Sequence, residues 1–350
     1  MKAIVNFLKA SDLKKLIPKL RENVLYGTIN AEERGTYEKI TEELQEQVEL
    51  SVLPPVESIK GFLFPAKERV AVYPSADESG GLDDDAAAQV IMGARACDLC
   101  ALTVMDKIFL EQEVADPFYK VRRDNTLIIT TDCREIHETC FCHLVDGKPY
   151  PEKGFDINFS PATDGYLVEA GTEKGQAVLD QFENILQEAN PEQIQQRDKN
   201  RQEVLERLKL QNKEFNKKVD PGKISDNNAA EIWAHLSARC VECGACNFIC
   251  PTCHCFYLYD QPQHEKPDHS ERQKTWDSCL LSNYAKMAGV GGLKPTPRPE
   301  VRSRFENRVR HKFDWMPANL QLWGCVGCGR CIEACLADLD IRDVFKEFGR

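Results

Sequence analysis

The chain has 350 residues, too long for a bare ferredoxin and enough for about two or three domains. Hydrophobic residues make up 42% and charged residues 29%, an ordinary globular balance with ample apolar material for a core. Lys and Arg total 45 against 56 Asp and Glu, and the net charge of -11 argues against general affinity for nucleic acid or anionic membrane.

No stretch is apolar for long enough to span a membrane, and residues 1–10 lack the apolar core and cleavage site of a signal peptide. The sixteen cysteines, gathered in short-spaced runs, read as reduced metal ligands in the cytoplasm and not as a disulfide framework. An oxygen-poor cell suits them best.

From Ser11, a candidate N-cap, Leu13, Leu16, Ile17 and Leu20 have helical spacing, against which Pro18 counts. Val24-Leu-Tyr reads as a short strand, residues 36–50 as a helix, and Pro54-Pro55 as punctuation. Gln89-Val-Ile-Met-Gly predicts a buried strand, and Asp98 to Leu110 a helix, together the first half of a βαβ unit. Thr126-Leu-Ile-Ile-Thr-Thr131 is apolar enough for a parallel sheet covered on both faces.

Cys97 and Cys133 fall just after those two strands, where sites form in open α/β sheets, and Cys140 and Cys142 follow in the next loop. Two further strands, around residues 155–159 and 166–170, and a helix from Gly175 close an N-terminal α/β domain over residues 1–182. Residues 183–228, rich in Glu, Gln, Lys and Asn, predict a helical linker of exposed helices ended by Asp220-Pro-Gly. Residues 229–350 then form a mostly helical ferredoxin-like domain, entered through the helix of Ile232-Trp-Ala-His-Leu-Ser. The expected fold class is α+β multidomain.

That last domain holds two cysteine runs, Cys240-Val-Glu-Cys243-Gly-Ala-Cys246-Asn-Phe-Ile-Cys250-Pro251 and Cys325-Val-Gly-Cys328-Gly-Arg-Cys331-Ile-Glu-Ala-Cys335. Each reads C-x2-C-x2-C-x3-C. Three thiolates on one tight turn wrap one face of a cubane, and the fourth, carried off by a helix, serves the other cluster. The spacing therefore predicts two 4Fe-4S clusters, one on Cys240, Cys243, Cys246 and Cys335, the other on Cys325, Cys328, Cys331 and Cys250. A four-cysteine zinc knuckle is the alternative, and the C-x2-C-x2-C triplets argue against it. Leu336 stands where the first run has Pro251, a change near the sulfurs that removes no ligand.

Eight cysteines remain. Cys97, Cys133, Cys140 and Cys142 converge on one end of the expected sheet and suit a third 4Fe-4S cluster, with zinc bound also by Cys100 or His143 as the rival. Cys253, Cys255 and Cys279 are one thiol short of a cubane and rank first as core residues or as neighbours that tune a cluster. A basic stretch, Lys294, Arg298, Arg302, Arg304, Arg308, Arg310 and Lys312, reads equally as a solvated helix face or as cations for the anionic clusters. No histidine metal motif, dinucleotide fingerprint or P-loop occurs, and Gly289-Val-Gly291-Gly292 meets neither nucleotide template.

Taken together, Ala96-Cys97-Asp98, Cys133 with Cys140-Phe-Cys142, Cys250-Pro-Thr-Cys-His-Cys255, Trp276-Asp-Ser-Cys279 and Cys325-Val-Gly-Cys-Gly-Arg-Cys331 resemble one family. It comprises the β subunits of soluble sulfhydrogenases and the A subunits of anaerobic sulfite reductases, and the likeness covers roughly residues 50–340. The resemblance implies an electron-transfer subunit between a partner carrying FAD, which handles NADH or NADPH, and a terminal redox subunit of hydrogenase, sulfite reductase or heterodisulfide reductase type. It also implies cluster ligation by Cys97, Cys133, Cys140 and Cys142. Neither nucleic acid nor a membrane span is expected. The alternative is a catalytic iron-sulfur subunit that itself reduces a small sulfur-containing substrate, and a scaffold with structural zinc is a third reading.

Overall fold

The computed structural model describes residues 4–31, 34–50, 53–74, 87–220, 224, 229–263, 269–287 and 295–349. Its strands are β1 (Val5–Lys9), β2 (Val24–Ala31), β3 (Arg34–Lys39), β4 (Lys67–Tyr73), β5 (Gln89–Ala94), β6 (Thr126–Thr131), β7 (Ile157–Ala162), β8 (Gly165–Ala170), β9 (Gln187–Glu188), β10 (Phe256–Pro262) and β11 (Ser270–Trp276). In the first part of the chain the helices are α1 (Leu13–Leu20), α2 (Lys60–Leu63), α3 (Ala96–Phe109), α4 (Pro117–Asp124), α5 (Glu173–Leu179) and α6 (Pro191–Gln211). Among the described residues six more follow: α7 (Ala230–Ser237), α8 (Ala245–Phe248), α9 (Val301–Arg310), α10 (Met316–Leu320), α11 (Arg330–Glu333) and α12 (Asp343–Phe348).

Eight strands form one sheet in the order β3-β2-β5-β6-β7-β8-β1-β9. The pairs β2–β5, β5–β6 and β6–β7 are parallel, and the outer pairs antiparallel. Every residue of β6 is buried, as its apolar run requires of a strand covered on both faces. One face packs Leu16, Ile17 and Leu20 of α1 on Met92, Ile129 and Phe159. Pro18 lies on the exposed side of α1, so the buried stripe is uninterrupted. The other face packs Leu99, Leu102, Met105 and Phe109 of α3 on Ile91 and Ile128.

Residues 36–50 do not form the expected helix. Thr36 and Tyr37 pair with Ile29 and Thr28 in the antiparallel β2–β3 ladder, and only a short 3-10 turn, Gln45–Gln47, is helical. An aromatic and a β-branched residue facing a ready partner strand are better satisfied there than in an isolated helix. Within the expected linker, residues 191–211 form α6, a polar helix started by an Asn190–Gln193 capping box. Its buried Val204 and Leu208 anchor it, and Arg201 reaches back to Asp132 at 2.7 Å, just beyond β6.

The segment between the two cysteine runs is not purely helical. The aromatic Phe256-Tyr-Leu-Tyr run suits a strand, and β10 and β11 form an antiparallel hairpin, which β4 from the N-terminal part extends to three strands. Trp276 at the end of β11 donates its indole N–H to the Phe64 carbonyl at 3.1 Å. A second core joins Phe141 and Val145 to Trp233, Val309, Phe313 and Phe345, so the loop after β6 is packed into the C-terminal part. The expectations placed on Pro221-Gly222, on Gly289 to Gly292 and on Lys294 lie outside the described residues. No helix among the described residues is long and apolar enough to cross a membrane.

Candidate metal centre

The two cysteine runs fold as the same turn. Glu242 and Gly327, each just before the second cysteine, have φ of 59° and 63°; Gly244 and Gly329, each just after it, have φ of 74° and 77°. Left-handed residues alternating with right-handed ones turn successive N–H groups inward, an arrangement that receives anions and many iron-sulfur groups. Each turn then starts a short helix, α8 or α11, whose far end carries the fourth cysteine away.

The structure brings each fourth cysteine to the opposite run. Cys240, Cys243, Cys246 and Cys335 line one small cavity, together with Cys331, Arg308 and Leu339. Cys250 lies instead among Cys325, Cys328 and Cys331, close enough for their charges to interact. Backbone amides already point at the sulfurs: Leu339 N–H donates to Cys335 Sγ at 3.3 Å and Gly327 N–H to Cys325 Sγ at 3.4 Å. Burial pushes Cys325 up to about 12 and raises Cys246, Cys328 and Cys331, whereas the neighbouring Cys253 thiol, with Lys312 and Arg308, draws Cys250 down. Loading such a set would therefore release protons. Four thiols from one turn and one helix end, with amide donors on the sulfurs, fit a 4Fe-4S group. The departure Leu336 is 79% exposed and leaves Cys335 in place.

Two of the seven basic residues, Arg308 and Lys312, face these thiols. Arg304, Arg308 and Lys312 recur every four residues on one helical face, and all three are buried. Lys312 Nζ donates to Cys250 Sγ at 3.3 Å, Thr252 Oγ1 at 3.0 Å and the Gly324 carbonyl at 2.9 Å. Burial opposes its charge, yet the Cys250 and Cys253 sulfurs outweigh that and raise its pKa. Arg308 donates to Asn247 Oδ1 at 2.6 Å and to the Cys246 carbonyl at 3.2 Å, between the two thiol sets. Arg302 is instead exposed and paired with Glu300, a solvated residue.

Cys97 sits in the first turn of α3 after β5, Cys133 follows β6, and Cys140 and Cys142 lie in the succeeding loop. Cys133, Cys140 and Cys142 are electrostatic neighbours, and Cys97 neighbours both Cys133 and Cys328. Burial pushes Cys133 up to about 12. Cys100 is exposed on α3, and both ring nitrogens of His143 are buried without a hydrogen-bond partner. Among the described residues no three His, Cys, Asp or Glu are gathered as for a single metal ion.

This thiol group abuts the second run directly. Phe141 N–H donates to the Gly327 carbonyl at 2.7 Å, and a Cβ on Gly327 would fall 2.4 Å from Cys142 Cα. The Gly327→Ala variant should therefore push the two loops apart, and a lowered unfolding midpoint together with an altered visible spectrum is expected; an unchanged protein would show that the contact is loose. Beneath them Arg330 of α11 pairs with Asp98 of α3 at 2.9 Å, and both side chains are buried.

Residues 239–339 match a family model described as a 4Fe-4S dicluster domain. This segment is similar to a 4Fe-4S dicluster domain. It contains both runs and the four-residue series of cations. Beyond it, the chain is 28% identical over 326 residues to sulfhydrogenase 2 subunit beta of Pyrococcus furiosus, covering 92% of this chain and 91% of the relative. The resemblance read from the cysteine motifs thus extends outside the dicluster domain to nearly the whole chain.

Proposed function

We propose that this chain is an iron-sulfur electron-transfer subunit of a sulfhydrogenase-like hetero-oligomer. It relays electrons between a subunit bearing FAD and handling NAD(P)H and a terminal redox subunit, and it performs no substrate chemistry. The observation that supports this reading best is contiguity: the thiols of the N-terminal sheet touch the Cys325–Cys331 turn, which in turn contributes Cys331 to the cavity of the Cys240 set. Three stations in a line suit transfer between partners at opposite ends.

Cys240, Cys243, Cys246 and Cys335 would hold one 4Fe-4S cluster, Cys325, Cys328, Cys331 and Cys250 a second, and Cys97, Cys133, Cys140 and Cys142 a third. When bound, these groups supply one-electron transfer. The chain itself binds them, excludes water through its second core, and offsets their negative charge with Arg308 and Lys312. The cytoplasm, where thiols stay reduced, suits such a protein.

The crossed ligation has a specific test. The Cys250→Ala change should remove about four iron atoms, and adding Cys325→Ala should remove no more, whereas adding Cys243→Ala should remove about eight. Loss of about four iron atoms in the Cys250/Cys243 double variant would assign Cys250 to its own run.

The relay reading predicts about twelve iron atoms in the anaerobically purified chain, reduction by dithionite or a reduced flavoprotein, and no turnover of sulfite or polysulfide. About eight iron atoms with zinc would remove the third cluster, and turnover by the isolated chain would overturn the relay. The catalytic alternative has one supporting observation, a cavity of about 620 Å³ beside Cys133. Its Arg201 is already held by Asp132, and its Arg207 by Glu135 at 3.2 Å.

A further inference from the structure

The thiols of Cys255 and Cys279, outside every ligand set above, meet in the fold. Cys255 immediately precedes β10 and Cys279 lies just beyond β11, whose pairing aligns Phe256 with Trp276. The Asp277 N–H donates to the Cys255 carbonyl at 3.0 Å, continuing that ladder, and the two thiols are electrostatic neighbours. Both residues are half-buried.

Their surroundings connect the pair to both runs. Asn247 stands in α8, between Cys246 of one thiol set and Cys250 of the other. Its Nδ2 donates to Cys279 Sγ at 3.3 Å, while its Oδ1 accepts from Arg308 at 2.6 Å and from the Cys253 thiol at 3.7 Å. On the other side the half-buried Tyr284 neighbours the Cys255 thiol.

We propose that Cys255 and Cys279 are a redox-active dithiol that exchanges two electrons with the clusters of the dicluster domain. In oxidation, two S–H bonds break and one S–S bond forms; two protons leave to solvent, and two electrons pass singly to two oxidised clusters. Reduction reverses each step, with two reduced clusters as the electron source. The pair is thereby a two-electron store beside one-electron carriers. This inference rests on the two clusters proposed for the dicluster domain.

The test uses the full chain, purified anaerobically. One sample is reduced with dithionite and another oxidised with thionine; both are quenched in acid denaturant with chelator, labelled with N-ethylmaleimide and mapped by mass spectrometry. Cys255 and Cys279 should be joined to each other in the oxidised sample and fully labelled in the reduced one, with the eight dicluster cysteines labelled in both. A dithionite titration of the Cys279→Ser variant should consume two electrons fewer per chain at unchanged iron content. Full labelling of both cysteines in the oxidised sample overturns the proposal, as does a bond from either to Cys253 or loss of iron in Cys279→Ser. If that variant does not fold, the labelling pattern of the unaltered chain decides alone. Iron content, measured on every sample, reports separately on the clusters themselves.

Discussion

Asp98→Ala should be among the most destabilising single changes in the protein, costing about 3–5 kcal/mol, because it leaves a buried guanidinium without its counter-charge. Asp98 is 0% exposed and Arg330 2% exposed, and their oxygen and nitrogen stand 2.9 Å apart. Arg330 retains only the Pro55 carbonyl at 3.1 Å, while Asp98 also accepts the Arg95 N–H at 3.0 Å that opens α3. The double variant Asp98→Leu/Arg330→Met should recover much of the loss, since an apolar pair of similar volume replaces both charges. Denaturant unfolding under anaerobic conditions checks this. A single variant within about 1 kcal/mol of the unaltered protein would mean that water or relaxation compensates the charge.

The second large effect concerns potential. Replacing Lys312 with Met removes the buried cation donating to Cys250 Sγ, and the cluster proposed on Cys250 should become harder to reduce. The added electron no longer meets a nearby positive charge. A unit charge at about 4 Å with an effective dielectric near 20 is worth about 4 kcal/mol, and at 59 mV per tenfold change a shift downward on the order of 100 mV is expected. A redox titration followed by electron paramagnetic resonance measures it. An unshifted potential at full iron content would show that Lys312 serves packing alone, through Thr252 and Gly324.

The parts of this design that are local in sequence were legible. The C-x2-C-x2-C-x3-C runs declare their turn because the left-handed positions and the cysteines all lie within a dozen residues, and α8 and α11 follow from the same stretch. The apolar strands β5 and β6 likewise place Cys97 and Cys133 at one sheet edge. Pairings across long separations were not legible. Nothing near Lys67 indicates that it will align with Thr275, and nothing near Asp98 names Arg330. Strand register and buried ion pairs depend on how distant segments come together, and a single segment read alone carries only half of each contact. The helical reading of residues 36–50 failed for this reason, since the partner strand β2 decided the outcome.

The exchange of fourth cysteines between the two runs also has a consequence for biosynthesis. In the proposed ligation, where Cys335 completes the Cys240 set and Cys250 the Cys325 set, neither donor set is whole until the ribosome has passed Cys331 or Cys335. At about 5–20 residues per second, the first three thiols wait roughly 5–20 s for their partner. During that interval the nascent chain presents open, partly liganded triplets, so cofactor delivery must follow translation of this region. Interrupted synthesis then leaves no finished cluster in the dicluster domain, where uncrossed runs would have left one.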